Sequence, residues 1–212
     1  MRCLIPITQE IRNENAMKRA HTLCDDIHIL YVVDESLFER MERESAYVLN
    51  SDMLDVLKKT LIESQKEEAE SIAVGLGKKA RLHFEVGDNF DIIEKYALKL
   101  RPDLIMVDDM DRKLLSLKTA VWVDRGNEIK NGVFVVSSIA HINRFRRNVE
   151  FLDTICERMK CHIQIYPDSL SEHDRELLKS FEEISEQRYA DIVFYQNSDK
   201  RAEKRGSFMF FR

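Results

Sequence analysis

Glycine and proline are scarce in this sequence, which has six glycines and three prolines in 212 residues. Structureless linkers are usually rich in these residues, so the composition argues against long linkers. Long apolar runs are also missing, because no stretch approaches the roughly 20 apolar residues that a membrane-spanning helix needs. The first residues become charged too soon for a signal peptide. The sequence therefore predicts a globular protein of the cytoplasm with no membrane segment.

Recognisable metal and nucleophile motifs are missing as well. The four cysteines form no CxxC pair and have no histidine at zinc-ligand spacing, so we interpret them as reduced, mostly buried thiols: Cys3, Cys24, Cys156 and Cys161. The six histidines are scattered, and no catalytic role is predicted for any of them. The net charge of -5 gives no general case for binding nucleic acid.

What the sequence does have is 44% hydrophobic residues, arranged in a regular alternation. Short apolar runs predict strands at residues 3–7, 27–33, 82–86, 104–107 and 133–136, and helical patterns lie between most of them. Strands separated by single helices need right-handed parallel crossovers. The pattern therefore predicts an α/β fold with a parallel sheet, and in such sheets ligands bind at the carboxyl ends of the strands.

Five segments in this order resemble the universal stress protein family: CLIPIT, LYVVDES, FEVGDNFDIIEKYA, RPDLIMV and GVFVV. The resemblance covers about residues 1–139. It implies one domain over those residues, with a nucleotide-binding-like sandwich similar to adenine nucleotide alpha hydrolases. Members of this family commonly pair through the strand that ends the domain, so the resemblance also implies a homodimer or another protein partner.

The segment after the fourth strand departs from the family. Members that hold ATP usually carry an aspartate after the first strand and a loop G-x2-G-x9-G-[S/T] after the fourth. Here Thr8 takes the place of the aspartate, and the loop positions fall on Asp108, Asp111, Val121 and Trp122. Glycine lets the backbone approach phosphate closely, whereas carboxylates repel it. The resemblance thus implies a regulatory or binding protein that is not an enzyme and does not use ATP in the usual way.

Five residues are candidates for the ligand-binding corner: Thr8, Asp34, Asp108, Asp109 and Asp111. The last three could ligate Mg²⁺, which prefers oxygen ligands, and the alternative function is nucleotide binding or hydrolysis through such a Mg-dependent loop. The simpler interpretation makes them a solvated loop, and makes Asp34 part of a helix N-terminus. No cofactor is required by the sequence, and ATP or Mg²⁺ would enter only under the alternative.

The last third of the chain shows an ordered likeness to the first. HILYVVDESL resembles HIQIYPDSL, DLIMVDDMDRK resembles DIVFYQNSDKR, and GVFVV resembles GSFMFF. These matches predict a tandem arrangement in which residues 140–212 form a second, truncated half, unless they are chance likenesses between ordinary βα units. The final strand, residues 207–211, is predicted to pair inside one chain with residues 133–136, the predicted last strand of the first half, with further homodimerisation.

Overall fold

The structure, a computed structural model, describes residues 1–45, 51–77, 80–109, 111–136, 139–167, 192–196 and 207–211. The chain divides into two compact units, Met1–Met106 and Val107–Arg212. The predicted domain boundary between residues 139 and 140 therefore falls inside the second unit.

The first unit is an α/β layer with four parallel strands in the order β3-β2-β1-β4. This confirms the predicted fold class. Its elements are β1 (Arg2–Ile7), α1 (Glu14–Leu23), β2 (Asp26–Asp34), α2 (Glu35–Ser45), α3 (Ser51–Leu76), β3 (Ala80–Gly87), α4 (Asn89–Leu100) and β4 (Leu104–Val107).

The two central strands of the first unit form its core. In β1 every residue from Cys3 to Ile7 is buried, and in β2 every residue from Ile27 to Val33 is buried. Continuous burial rather than alternation follows from a parallel sheet that is covered on both faces. Each fully buried aliphatic side chain contributes about 1.5–3 kcal/mol, so these runs are the main source of stability in this unit.

Two of the four cysteines are not reduced thiols. Cys3, in β1, and Cys24, which follows α1, form a disulfide bond, and both residues are at most 1% exposed. The prediction of four free thiols was therefore wrong for this pair. A separation of 21 residues carries no motif, and the two cysteines become neighbours only when α1 packs back onto the sheet.

The second unit contains a 3₁₀ turn and the remaining elements: β5 (Ala120–Val123), β6 (Asn131–Val136), α5 (Ile139–Met159), β7 (His162–Pro167), β8 (Ile192–Gln196) and β9 (Ser207–Phe211). Its strands lie in the order β5-β9-β8-β6-β7. All the pairings are parallel except that between β5 and β9. Residues 163–166 and 192–195 thus belong to one sheet, in which both segments pair in parallel with β6.

Residues 133–136 were predicted to be the fifth strand of the first half, and this was wrong. They belong to β6, where Val133 lies opposite Gln164 of β7 and Val193 of β8. A short apolar run specifies a buried strand without specifying its neighbours. The strand that follows β4 is instead β5, which includes Val121 and Trp122, two residues predicted to lie in a loop.

The antiparallel pair of β5 and β9 buries the only tryptophan of the chain. Trp122 lies opposite Met209, and both side chains are fully buried. The Trp122 indole Nε1 donates to Asp124 Oδ2 at 3.1 Å. At the start of β9, the Ser207 amide and hydroxyl both donate to Asn127 Oδ1, at 3.0 and 2.7 Å. These bonds fix β9 to the turn that follows β5.

Among the described residues, no helix is both long and apolar enough to cross a membrane.

Candidate functional site

The carboxyl ends of β1 and β2 open into a small cleft of about 150 Å³ in the first unit. Thr8 and Asp34 both line it, so the structure brings these two predicted site residues together. The other lining residues come from the turn after β1 and from the first turns of α2 and α4: Gln9, Glu10, Ser36, Leu37, Arg40 and Asn89. The cleft lies where ligands bind in parallel α/β sheets.

Thr8 organises the turn that follows β1. Its side chain is 9% exposed, and its Oγ1 accepts hydrogen bonds from the amides of Ile11 at 3.1 Å and Glu10 at 3.3 Å. The Thr8 amide in turn donates to the Ile11 carbonyl at 2.9 Å. A threonine hydroxyl has two lone pairs, and both are used in shaping the turn. Thr8 therefore offers a ligand little beyond its hydroxyl proton.

Asp34 acts at a helix N-terminus, as the simpler interpretation predicted. Its Oδ1 accepts from the Ser36 amide at 2.8 Å, in the first turn of α2. Its Oδ2 accepts from Asn89 Nδ2 at 2.9 Å, which links α2 to the first residue of α4. The amide oxygen of Asn89 is buried without a hydrogen-bonding partner. The cleft thus contains a buried acceptor that a donor on a bound molecule would satisfy.

A wider groove of about 680 Å³ lies beside this cleft and shares Gln9 and Leu37 with it. One wall is apolar, formed by side chains of α2 and α3: Leu37, Met41, Leu57 and Leu61. The other wall is polar and includes Arg12 and Glu68, which form an ion pair. The Tyr31 hydroxyl donates its proton to Glu68 Oε2 at 2.9 Å and also contacts the side-chain amide oxygen of Gln65. Burial, helped by the Glu68 bond, raises the pKa of Tyr31, so this hydroxyl stays protonated.

The loop after β4, in the second unit, carries the three remaining predicted site residues. Asp109 Oδ1 accepts from Arg125 Nη1 at 2.5 Å, in an exposed ion pair. Asp111 caps the 3₁₀ turn Arg112–Ser116, and its Oδ1 accepts from the Lys113 amide at 2.9 Å. Asp108 is half-buried and has a polar or electrostatic interaction of its own. Asp109 thus has a partner that follows β5, and Asp111 has a partner within its own loop.

Several backbone amides of this loop donate to acceptors within the loop. Leu114 donates to the Asp111 carbonyl at 3.0 Å, and Leu117 donates to the Leu114 carbonyl at 3.1 Å. The side chains of Leu114 and Leu117 are 3% and 4% exposed, and they fill the inside of the turn. A phosphate-binding loop needs amides that face the ligand. The described amides of Lys113, Leu114 and Leu117 are used within the loop instead.

The predicted metal site has no structural support. In the part of the chain that the structure describes, no three His, Cys, Asp or Glu side chains are grouped so as to hold a metal ion. For Asp109 and Asp111 the reason is visible, since one carboxylate meets a guanidinium and the other meets a backbone amide.

A buried polar cluster in the first unit was missed by sequence reasoning. His28 Nδ1 and His83 Nε2 are 2.8 Å apart, and the two rings are stacked. His28 Nε2 lies 3.3 Å from Asp26 Oδ2. Burial, with a smaller contribution from the charge of His28, lowers the pKa of His83. Burial alone would raise the pKa of Asp26, but its bonds with Arg2 and His28 lower it.

The signal for this cluster lies in the register of β2 and β3. His28 pairs with Arg81 and Leu30 pairs with His83, so the two histidines project from the same face of neighbouring strands. The sequence alone does not give that register. The cluster lies toward the amino end of β2, whereas the cleft lies at its carboxyl end.

Comparisons with known proteins identify the fold. No protein-family model matches the sequence, and no curated protein matches it significantly. A solved universal stress protein from Archaeoglobus fulgidus DSM 4304 superposes with a TM-score of 0.60 at 13% identity, over 99% of this chain and 96% of the other. A Pseudomonas aeruginosa UCBPP-PA14 protein assigned to the universal stress proteins gives 0.61 at 11% identity, over 99% and 92%.

A third similar structure is the cytoplasmic domain of a prokaryotic cation chloride cotransporter. Its TM-score is 0.51 at 10% identity, over 99% of this chain and 94% of the other. At such low identities these likenesses show the fold alone. The chain therefore has a universal-stress-protein-like α/β fold.

Proposed function

We propose that this protein is a universal-stress-protein-like regulatory or binding protein that does not hold ATP in the usual way. The observation that carries the proposal is the internal use of the loop after β4. Asp111 places its own carboxylate on the Lys113 amide, which is a position that a phosphate oxygen would need. A triphosphate would meet carboxylates where ATP-holding relatives present glycine amides.

The ligand proposed in place of ATP is a small molecule that carries hydrogen-bond donors, bound at the cleft of Thr8 and Asp34. Two features support this choice. Asn89 lines the cleft and its buried amide oxygen has no hydrogen-bonding partner, and the adjoining groove adds an apolar wall of suitable size for a compound of a few hundred cubic ångströms. Neither feature requires a phosphate or a metal ion, and neither provides a nucleophile, so we propose binding rather than catalysis.

Calorimetric titration of the full chain with ATP and with adenosine, each with and without Mg²⁺, tests the proposal. Micromolar affinity for ATP corresponds to about 8 kcal/mol. In the loop after β4 the amides of Lys113, Leu114 and Leu117 already donate to acceptors within the loop and cannot contribute to it without giving up those bonds. We expect ATP to bind no better than adenosine. Tight binding of ATP without metal would contradict the proposal.

The alternative function is nucleotide binding through a Mg²⁺-dependent loop, and the observation that favours it is the closeness in sequence of Asp108, Asp109 and Asp111. It predicts ATP binding that requires Mg²⁺ and that is lost in the double variant Asp109→Asn, Asp111→Asn. The matched control is Asp103→Asn, which changes an aspartate before β4 that accepts from the Arg2 amide at 2.7 Å.

We also propose that the chain is a tandem repeat that forms an internal pseudo-dimer. In the second unit the strand order β7-β6-β8-β9 matches the order β2-β1-β4 followed by a fifth strand. Among the described residues of this unit, no strand corresponds to β3. The amide of Asp124, after β5, donates to the last carbonyl of β4 at 2.8 Å, which fits β5 as the fifth strand of the first copy. The antiparallel pairing of β5 with β9 then joins the two final strands in one chain.

In this arrangement both final strands are already paired, so the predicted homodimer or protein partner would have to use another surface. The mass of the chain in solution tests this point. If a dimer forms, changes to β5 or β9 that leave the chain folded should not alter its dissociation constant. A dimer that dissociates when only β5 is changed would contradict the internal pairing.

A further inference from the structure

The end of helix α5 brings two cysteines that are not in a disulfide bond into contact in the second unit. Cys156 lies in the last turns of α5, and Cys161 is the second residue after the helix. Their sulfur atoms are 2.7 Å apart. This distance is shorter than an ordinary contact between two sulfur atoms and approaches the roughly 2.05 Å of a disulfide bond.

The backbone explains why these two side chains meet. Lys160 has a φ of 55°, in the left-handed region, and its amide donates to the Glu157 carbonyl at 3.4 Å. The Cys161 amide donates to the Cys156 carbonyl at 3.0 Å. This pair of bonds is the Schellman motif, which ends a helix and usually places two apolar side chains together at these two positions. Here the two side chains that the motif brings together are thiols.

The environment of the pair permits reaction with small molecules while limiting exchange with other proteins. Cys161 is 7% exposed, whereas Cys156 is partly exposed at the surface of α5. The contact with Cys161, together with burial, raises the pKa of Cys156. Because the thiolate is the reactive form, exchange at this pair is expected to be slow at neutral pH and faster under alkaline conditions.

We propose that Cys156 and Cys161 form a reversible disulfide that is made and broken by exchange with small thiols and disulfides. One thiolate attacks a low-molecular-weight disulfide, forming a mixed disulfide and releasing one small thiol. The second thiolate then attacks the protein sulfur of that mixed disulfide and releases the other small thiol. Two electrons and two protons pass from the cysteines to the small disulfide, so its reduction balances the oxidation of the pair.

The disulfide between Cys3 and Cys24 gives an internal reference. Cys24 directly follows α1 and precedes β2, and Cys161 follows α5 and precedes β7, so one cysteine of each pair lies between a helix and the next strand. The difference is access. Cys3 and Cys24 are 0% and 1% exposed, which protects their bond from small thiols, whereas Cys156 can be reached from solvent.

The test is a peptide map of the full chain at pH 8 after equilibration with reduced and oxidised glutathione at several ratios, followed by acid quenching and alkylation. Trypsin cleaves between the two cysteines, so the proposed bond joins the peptides of residues 148–158 and 161–175. We expect the fraction of the protein that yields this linked pair of peptides to rise from near zero in reduced glutathione to nearly one in oxidised glutathione. The amount of the other linked pair should remain constant at every glutathione ratio; this pair consists of the peptides of residues 3–12 and 20–40, joined through Cys3 and Cys24.

Two variants and one alternative product complete the test. In Cys161→Ser, Cys156 should end as a mixed disulfide with glutathione, because the second thiol is missing. Lys160→Gly suits the left-handed conformation and should retain the linked peptides. If the wild-type chain instead gave two separate glutathione adducts, or linked Cys156 to Cys3 or Cys24, the proposed site would be excluded.

Discussion

The two units of this chain complete their sheets in different ways. The first unit uses only parallel pairing, and its two central strands are buried from end to end. The second unit adds one antiparallel pair, β5 with β9, at which the largest fully buried side chain, Trp122, is placed. The final strand, SFMFF, is apolar, and such a strand would promote association between chains if its edge were exposed. Here β5, a strand from earlier in the same chain, covers that edge.

The largest effect is expected from removing residues 206–212, because this deletion removes the antiparallel pairing that distinguishes the second unit. Without β9, the edges of both β5 and β8 lose their partner, and Trp122 loses the cover of Met209. Unpaired edge strands promote association between chains. We expect the shortened chain to self-associate at concentrations at which the full chain has a constant mass, measured by light scattering. An unchanged and stable species would mean that β9 closes no interface.

Trp122→Ala should have the next largest effect, because it empties the centre of the β5 and β9 pair. Loss of a buried tryptophan typically lowers the free energy of unfolding by about 3–5 kcal/mol. Leu98→Ala in α4 is the control, since its side chain is 66% exposed and its loss should change stability little. Urea denaturation measures both variants. A loss below about 1 kcal/mol for Trp122→Ala would indicate that β5 and β9 contribute little to stability.

Trp122 also shows what the sequence could and could not predict. The strands of the first unit follow from apolar runs in the sequence, so their positions and the α/β class were predictable. The four residues of β5 were hidden because the family pattern placed a glycine-rich loop over Val121 and Trp122. The predicted candidates Thr8 and Asp34 do share a cleft. Which partners their side chains take depends on contacts with Ile11 and Asn89 that arise only after folding.

The other misses have the same cause. Cys3 meets Cys24, and His28 meets His83, through the packing of a helix on a sheet and the register of two strands. Neither of these is a local property of the sequence. The role of Asp108, Asp109 and Asp111 is not a local property of the sequence either, because an acidic cluster has the same composition whether it ligates a metal ion or caps its own backbone.

Asp111→Ala should have a smaller effect, confined to the loop after β4. It removes the side-chain acceptor of the Lys113 amide, and loss of such a cap typically costs about 1 kcal/mol. Asp109→Ala is the matched control, because an exposed ion pair such as that with Arg125 contributes at most about 1 kcal/mol and often much less. The two variants are compared by thermal or urea unfolding. Equal and negligible losses would mean that the cap does not hold the loop.

The smallest effect is expected from acid, and it should distinguish the two units. His83 is half-buried against His28, whereas His162, at the start of β7, is exposed. The pKa of His83 is lowered in the folded state, mainly by burial and next by His28. The unfolded chain, with a histidine pKa of about 6.5, therefore binds the proton more readily than the folded chain does.

Linkage then requires that the free energy of unfolding fall as the pH drops from about 7.5 through 6.5 toward the folded pKa of His83. His83→Gln should flatten this part of the pH profile, and His162→Gln should leave it unchanged. Urea denaturation at several pH values measures the slopes, and a wild-type slope that His83→Gln does not reduce would exclude His83 as its source.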